Sequence, residues 1–383
     1  MAAGERLMDR HAPHTDLGER YPALAEALRR DAPAADERGR LTDEVLTQLR
    51  SSGVLAAAIP PQYGGLGASA AHTNSLISQI AAIDPSVAII CFQHYAVSAR
   101  IDEWGSEHHK SQFLPRLASG AWIAASAWSE TGAGAAKRNL ATTAERTSGG
   151  WLLNGAKTFT TGAGLAQLYL VLAQTSTPTH DDSLYGSRGQ TFFLIPAANE
   201  GLVADTGMNL VGMRASATGF VELHDCAVPK TSVLGGEGQA TRIIAGVRES
   251  GATLGAVSLG IAEAAWALVL AHTRRLGLDQ AQAVRHRLVD LAAEMAALRA
   301  LVHSAGRRDS HDPGTTTLLS KLQAARSAEN LCLQAQRLLG SAGFLHDHPL
   351  NRLARDARAV GLMGPTNDLI RELVSAPWTT QPR

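Results

Sequence analysis

Hydroxyl-bearing residues stand beside glycines at several points in this sequence. Ser129 precedes Gly132 and Gly134, Thr160 and Thr161 precede Gly162, and Gly212 lies near a further strand-like segment. Hydroxyls at strand ends, next to backbone that allows close approach, can hydrogen-bond a flat polar heterocycle. The same residues also make ordinary turns, and spacing alone leaves both readings open. His94 sits in ICFQHYAV, an apolar helical stretch, where an imidazole is either a hydrogen-bonded core group or the wall of a buried cavity. His108 and His109, in EWGSEHHKSQ, read as solvated surface. His346 and His348 flank Asp347 too closely to build a chelate, so no metal is expected. Arg352, Arg355, Asp356 and Arg358 read as a salt-bridged surface or interface, with phosphate binding as the alternative. No strand leads into GxGxxG, and neither a Walker lysine motif nor HExxH is present.

The elements that must hold these groups fall into three blocks. Residues 15–56, 70–100 and 106–118 have helical spacing, interrupted by IPPQYGGLGAS, where paired prolines and glycines exclude a helix. WLLNGAKTFTT (151–161), LYLVLAQT (168–175), QTFFLIPA (190–197) and GFVELHDCAV (219–228) predict strands, so 123–235 reads as an antiparallel β domain. THDDSLYGSRG (179–189) reads as an exposed loop. Helical periodicity returns over 239–275, 281–306, 315–340 and 365–376. Two of those helices are long and alanine-rich on several faces, which predicts packing on more than one side, within a bundle or across subunits.

Composition excludes several functions. The 383 residues carry 35 Lys+Arg against 35 Asp+Glu, which gives no bulk attraction to nucleic acid or anionic lipid. Aromatics at 5% leave little for base stacking, and 45% apolar residues exclude a largely disordered chain. The most apolar stretch, residues 77–92, is broken by Asp84 and Pro85, so no membrane partner is expected. Cys91, Cys226 and Cys332 are widely spaced among apolar neighbours, as in a reduced cytoplasmic protein with buried thiols. The N-terminal residues have no apolar signal-like core.

Taken in chain order, from about residue 15 to 378, these segments resemble the acyl-CoA dehydrogenase superfamily. PPQYGGLG (60–67) resembles its early loop, and DEWGSEHHKSQFLPRLASG (102–120) its helix-to-β junction. SETGAGA (129–135) resembles the TEPGAGS flavin loop and NGAKTFTTG (154–162) the NGxKxWITN strand. GMRAS and VPKTSVLG continue the series, and HPLNRLARDARA (348–359) and GPTNDLIRE (364–372) resemble the closing motifs. The resemblance implies an α+β fold: an N-terminal helical domain (1–122), a middle antiparallel β domain (123–235) and a C-terminal four-helix-bundle domain (236–383). It implies FAD between the β domain and the bundle, usually within a homotetramer. By motif position Trp128, Ser129, Gly134, Phe159 and Thr161 would contact the cofactor, Phe159 standing where tryptophan is usual. Arg274 or Arg275, Arg337, Gly340, Thr366 and Asp368 complete the implied cofactor set.

The family reaction removes the α-proton of an acyl thioester with a carboxylate, while the β-hydride passes to flavin. The glutamate that usually does this aligns with Gly364, and Ala135 replaces a serine that often contacts substrate. Glu249, on the helix that opens the C-terminal domain, is the nearest alternative carboxylate; Asp368 is its rival, and His94 is a further candidate for substrate orientation. The expected function is desaturation of an acyl thioester, bound to CoA or to a carrier protein. The alternative is a monooxygenase that takes reduced flavin from an external reductase and acts on an aromatic or amine substrate. The electron acceptor stays open.

Overall fold

The computed structural model describes residues 16–177 and 184–379, so residues 179–183 of the expected polar loop lie outside it. The first block comprises α1 (Leu17–Arg20), α2 (Pro22–Arg38), α3 (Asp43–Ser51), α4 (Ala70–Ala81), α5 (Pro85–Trp104) and α6 (Glu107–Ala118). Side chains set the starts: Thr42 Oγ1 accepts from the Val45 N–H (3.2 Å), and Asp84 caps α5 with Pro85 in its first turn. The start of α6 corrects the reading of His109 as solvated. Its side chain closes a reciprocal cap with Ser106, Nε2 bonds the Thr231 carbonyl, and the residue is buried. The glycine and proline segment 59–69 is irregular apart from one short 3₁₀ turn at Pro61–Tyr63, as expected.

The middle block holds β1 (Ala124–Ala127), β2 (Thr143–Arg146), β3 (Gly150–Thr160), β4 (Leu168–Gln174), β5 (Gln190–Pro196), β6 (Leu202–Asp205), β7 (Gly219–Pro229) and β8 (Val233–Leu234). The strands form one sheet in the order β6-β7-β3-β2-β4-β5-β8, with β1 paired to β4. Most pairs are antiparallel. The exceptions are β1 with β4 and a single parallel bridge from Thr143 to Gln174, so the sheet is mixed. Strand β4 is buried along its whole length because both sheet faces are covered. Leu168, Leu170 and Leu172 pack toward α5 and α6, and Tyr169 and Val171 pack with Trp151 and Phe193 on the other face.

The last block is α7 (Ala240–Glu249), α8 (Gly255–Arg275), α9 (Gln282–Arg307), α10 (Pro313–Leu339), α11 (Pro349–Leu362) and α12 (Asn367–Thr379). Periodicity predicted one helix over 239–275, but the chain breaks after Glu249, where Gly251 takes a φ of +78°. Helix α11 was not expected as a helix. Its apolar stripe of Leu350, Leu353, Ala357 and Val360 has helical spacing hidden among arginines. A single apolar core joins α2, α4 and α5 to α8, α9, α10 and α11, so the N-terminal helices and the bundle are packed together.

Candidate active site

A cavity of about 590 Å³ opens where the three blocks meet. Helix α5 contributes Phe92, Gln93, Ala96 and Arg100; the end of β1 and the glycine loop contribute Ser126, Trp128, Ser129 and Lys137; the end of β3 contributes Phe159 and Thr161. The opposite wall is the 210–213 loop, Val247, the last turns of α11, Met363 and Gly364. A pocket of this size with a few polar groups among apolar ones is what a cofactor and substrate site requires.

Local backbone explains the β3 wall. Register slips between Lys157 and Thr160 in the β3–β7 ladder, and Phe159 takes a φ of +52°. That turn takes the ring out of the sheet alternation, and Phe159 is left 66% exposed at the cavity. Two residues on, Thr161 Oγ1 accepts from Thr218 Oγ1 (3.3 Å), which is itself 2.7 Å from Ser216 Oγ. The loop after β1 is tied to the same strand: the Thr158 N–H donates to the Ser129 carbonyl at 2.8 Å. Trp128 tilts against Phe192 with centroids 4.8 Å apart, and its indole Nε1 is buried with no partner among the described residues. An orphaned indole donor in a cavity wall fits a missing acceptor.

The opposite wall is held by α11. The Met213 N–H donates to the Asp356 carboxyl, and Arg355 donates to the Val211 carbonyl at 2.7 Å and pairs with Asp36. A Cβ on Gly212 would sit 2.9 Å from the Asp356 nitrogen and closer still to the Arg355 carbonyl, so this approach needs glycine. Asp356 corrects the surface reading of its cluster, for it is 1% exposed. Burial pushes its carboxyl up from 3.8 to about 7, with Arg352 nearby and Asp84 and Asp36 adding like charge. Its folded value lies above its unfolded one, so the native state keeps a proton that the unfolded chain releases. Asp356 should therefore contribute stability that is lost as pH rises from about 4 to about 7, against the opposite contribution of His94, which burial lowers to about 4. Asp356→Asn should remove that contribution in pH-dependent urea titrations, so that stability falls less, or rises more, with pH over this range than in the parent. An unchanged slope would show that Asp356 is already ionised in the fold.

The residues singled out for chemistry divide sharply. Trp128, Ser129, Phe159 and Thr161 converge on the cavity. Gly134 lies in the same loop with a φ of +69°, in open space. Glu249 is not brought to the cavity: it is exposed at the end of α7, its carboxylate directed at Gly314 in the first turn of α10, while Val247 is the α7 residue that lines the wall. A carboxylate there meets a helix N-terminus, which explains its direction. Asp368 is also outside, its side chain 94% exposed and paired with Arg371 at 2.6 Å. His94 is a core histidine. Its Nε2 donates to the Leu55 carbonyl (3.1 Å), Nδ1 accepts from the Ala124 N–H, and burial lowers it to about 4, so it is neutral. Arg274, Arg337 and Gly340 are exposed at helix ends away from the cavity, and Thr366 caps α12 by accepting from the Leu369 N–H (3.2 Å).

Three lining or supporting cations were missed. Arg100 is 3% exposed, bonded to Glu103 at 2.7 Å, with Nε and Nη1 unpartnered among the described residues. Lys137 is 4% exposed and lies just after the glycine loop, where the neighbouring Arg138 and Asn139 make it read as ordinary polar surface. Lys321 holds the turn that carries Gly364 by donating to the Met363 (3.2 Å) and Pro365 (2.9 Å) carbonyls and to Asn367 Oδ1 (3.0 Å). No carboxylate lines the cavity among the described residues.

Residues 22–121, 125–226 and 240–377 match the N-terminal, middle and C-terminal domains of acyl-CoA dehydrogenases, respectively. The chain is 31% identical over 372 residues to the probable acyl-CoA dehydrogenase FadE25 of Mycobacterium tuberculosis, covering 94% of each protein. It is 30% identical over 359 residues to an acyl-CoA dehydrogenase of Bacillus subtilis, covering 90% of this chain and 92% of that one. Butyryl-CoA dehydrogenase from Megasphaera elsdenii superposes with a TM-score of 0.86 at 25% identity, covering 96% and 100%. A solved FAD-dependent dehydrogenase superposes at 0.83 with 27% identity, covering 98% and 100%. Sequence likeness over nearly the whole length and the shared domain order agree with the fold, and the chain belongs to the acyl-CoA dehydrogenase family.

Proposed function

We propose that this acyl-CoA dehydrogenase-type oxidoreductase binds FAD in the cavity and desaturates an acyl thioester carried on CoA or on a carrier protein. The observation that carries the reading is the wall built from Phe159, Trp128, Ser129 and Thr161. It offers an exposed aromatic face, an unpartnered indole donor and hydroxyls on one side of a single cavity. Those groups fit a flat heterocycle with polar edges. When bound, the flavin supplies the two-electron acceptor. The chain's own part is to orient the thioester, keep water from the apolar walls and move the α-proton. The solved FAD-dependent dehydrogenase of the same fold supports the cofactor assignment.

In this reading the family's closing glutamate is replaced by Gly364, at the start of GPTN. The cavity's lack of a lining carboxylate, among the described residues, favours one second reading: a reduced-flavin monooxygenase that needs no such base. Anaerobic mixing of the FAD-loaded protein with acyl-CoA and acyl-carrier thioesters separates them. Bleaching of the flavin supports desaturation. Bleaching only by an external reductase, followed by oxygenated product in air, supports the alternative.

The division into 1–122, 123–235 and 236–383 is proposed on the change from α6 to β1 and from β8 to α7; limited proteolysis would test it. A cytoplasmic location is proposed from three free, buried thiols, and cell fractionation tests it. A homotetramer is proposed from apolar side chains left on the bundle: Val289 is 65% exposed, Leu333 47%, Phe344 90% and Trp378 74%. Light scattering should give a multiple of the 40.3 kDa chain at micromolar concentration, and a stable single-chain mass would refute it.

A further inference from the structure

Gly364 leaves the position of a side chain open at the cavity wall, and another element fills it. A Cβ built on Gly364 would stand 3.4 Å from Lys137 Nζ and 3.3 Å from the Tyr185 hydroxyl. Lys137 therefore presents its amine where residue 364 would otherwise present a functional group. Its backbone is fixed: the Lys137 carbonyl accepts from the buried Gln190 Nε2 at 2.8 Å, and the preceding Ala136 carbonyl accepts from the Gly186 N–H at 2.7 Å. Lys137 has a φ of +53°, in the left-handed region, and is 4% exposed. Nζ lies 5.7 Å from the Tyr185 ring centroid, and no hydrogen bond or ion pair is made by Nζ among the described residues.

We propose that Lys137 is the catalytic base of this protein, taking the α-proton of the acyl thioester in place of the carboxylate absent at Gly364. The assignment rests on the thioester reading above. In this step the lone pair of neutral Nζ forms an N–H bond as the Cα–H bond breaks. The electron pair of that bond remains on the thioester enolate, so the half-step is balanced without an oxidant.

The surroundings bring a usable fraction of neutral amine into the physiological pH range. Burial lowers Lys137 from 10.5 to about 8, opposed by the charge of Glu130. Glu130 is already committed to Lys157, whose own charge lies behind the same loop. From the other elements, Arg100 on α5 lines the same cavity and Arg248 on α7 acts on Tyr185; both are cations. Helix α11 adds Arg355 and Arg358 to the cavity wall, and the turn after it brings Gly364, which has no ionisable group. A buried lysine among cations and apolar walls loses its proton readily and then serves as a base.

The test uses the FAD-loaded protein in heavy water with a 3-thia-acyl-CoA, whose β position is sulfur and has no hydride to give. Exchange of its α-hydrogens for deuterium is followed by NMR. The parent protein should exchange them at a rate that rises with pH and levels off above about 8. Lys137→Met and Lys137→Arg should each slow exchange by about a hundredfold or more, while the analogue's affinity, read by equilibrium dialysis, stays within about threefold. Arginine keeps the charge but cannot be a base, so exchange that survives in Lys137→Arg overturns the proposal in favour of a charge that only holds the substrate. A second readout is the pH titration of ε-¹³C lysine, with Lys137→Arg assigning the signal among Lys110, Lys157, Lys230 and Lys321. A midpoint near 8 supports the proposal, and one near about 10.4 overturns it. Parent protein that binds the analogue without exchanging it overturns Lys137 alone. Parent protein that neither binds nor exchanges it overturns the thioester reading and this assignment with it.

Discussion

Replacing Lys157 by Met should lower unfolding free energy by about 3–5 kcal/mol, because it leaves Glu130 charged and buried. Lys157 Nζ stands 2.5 Å from Glu130 Oε1, with the side chains 0% and 3% exposed. Glu130 also accepts from the Ala141 N–H at 2.6 Å and the Thr142 N–H at 3.2 Å. Although burial raises this carboxyl, the Lys157 charge and these bonds outweigh it and hold it below its ordinary value. The pair ties the glycine loop to β3, so the same substitution should also loosen the loop that carries Ser129 and Lys137. Urea denaturation measures the loss. Adding Glu130→Gln to Lys157→Met should recover part of it, since the stranded charge is then gone. A single-substitution cost under about 1 kcal/mol would mean that Glu130 takes up a proton or another partner.

Phe159→Gly should separate folding from cofactor binding. The ring is two-thirds exposed in the chain alone, and its backbone sits in the left-handed region that glycine adopts freely. Removing the side chain should leave stability unchanged or raise it by about 1 kcal/mol as strain is relieved. The same change deletes the aromatic face offered to the flavin. Losing a covered phenyl ring costs about 2–3 kcal/mol, so FAD should bind roughly 30- to 150-fold more weakly. Thermal melting of the apoprotein and fluorescence titration with FAD read the two effects separately. Affinity within threefold of the parent would show that the flavin does not cover this ring. A large fall in apoprotein stability would show that Phe159 is a packing residue after all.

Much of the architecture is legible in the residues because it is local. The helices after Thr42, Ser69, Asp84, Ser106 and Asp312 begin at side chains that satisfy their first N–H groups, and strands of alternating or wholly apolar residues follow one another between turn signals. Parallel pairing of β1 with β4 is not legible, since strand direction within a sheet depends on where the chain returns rather than on propensity. Helix α11 was hidden by its arginines, which read as surface although the apolar stripe between them is continuous. His109 looked solvated among Glu107, His108 and Lys110, but its side chain turns back onto Ser106 and reaches Thr231, more than a hundred residues away.

The sequence by itself carried the helical–β–helical order and the family resemblance, and that resemblance implied Trp128, Ser129, Phe159 and Thr161, which the structure brings to one cavity. The order follows from short segments whose spacing fixes local structure, and the site residues from motif resemblance. It also determined that residue 364 has no acidic side chain, because identity needs no folding. Only the tertiary structure decided which ionisable group faces the cavity. Glu249 and Asp368 are near the right segments in the chain, yet one lies at the first turn of α10 and the other in solvent beside Arg371. His94 is consumed by backbone partners on both ring nitrogens. Lys137 is far from Gly364 in sequence and reaches it across the junction between the glycine loop and the turn after α11. Such a meeting of distant residues is set by how helices pack on the sheet, which no local pattern encodes.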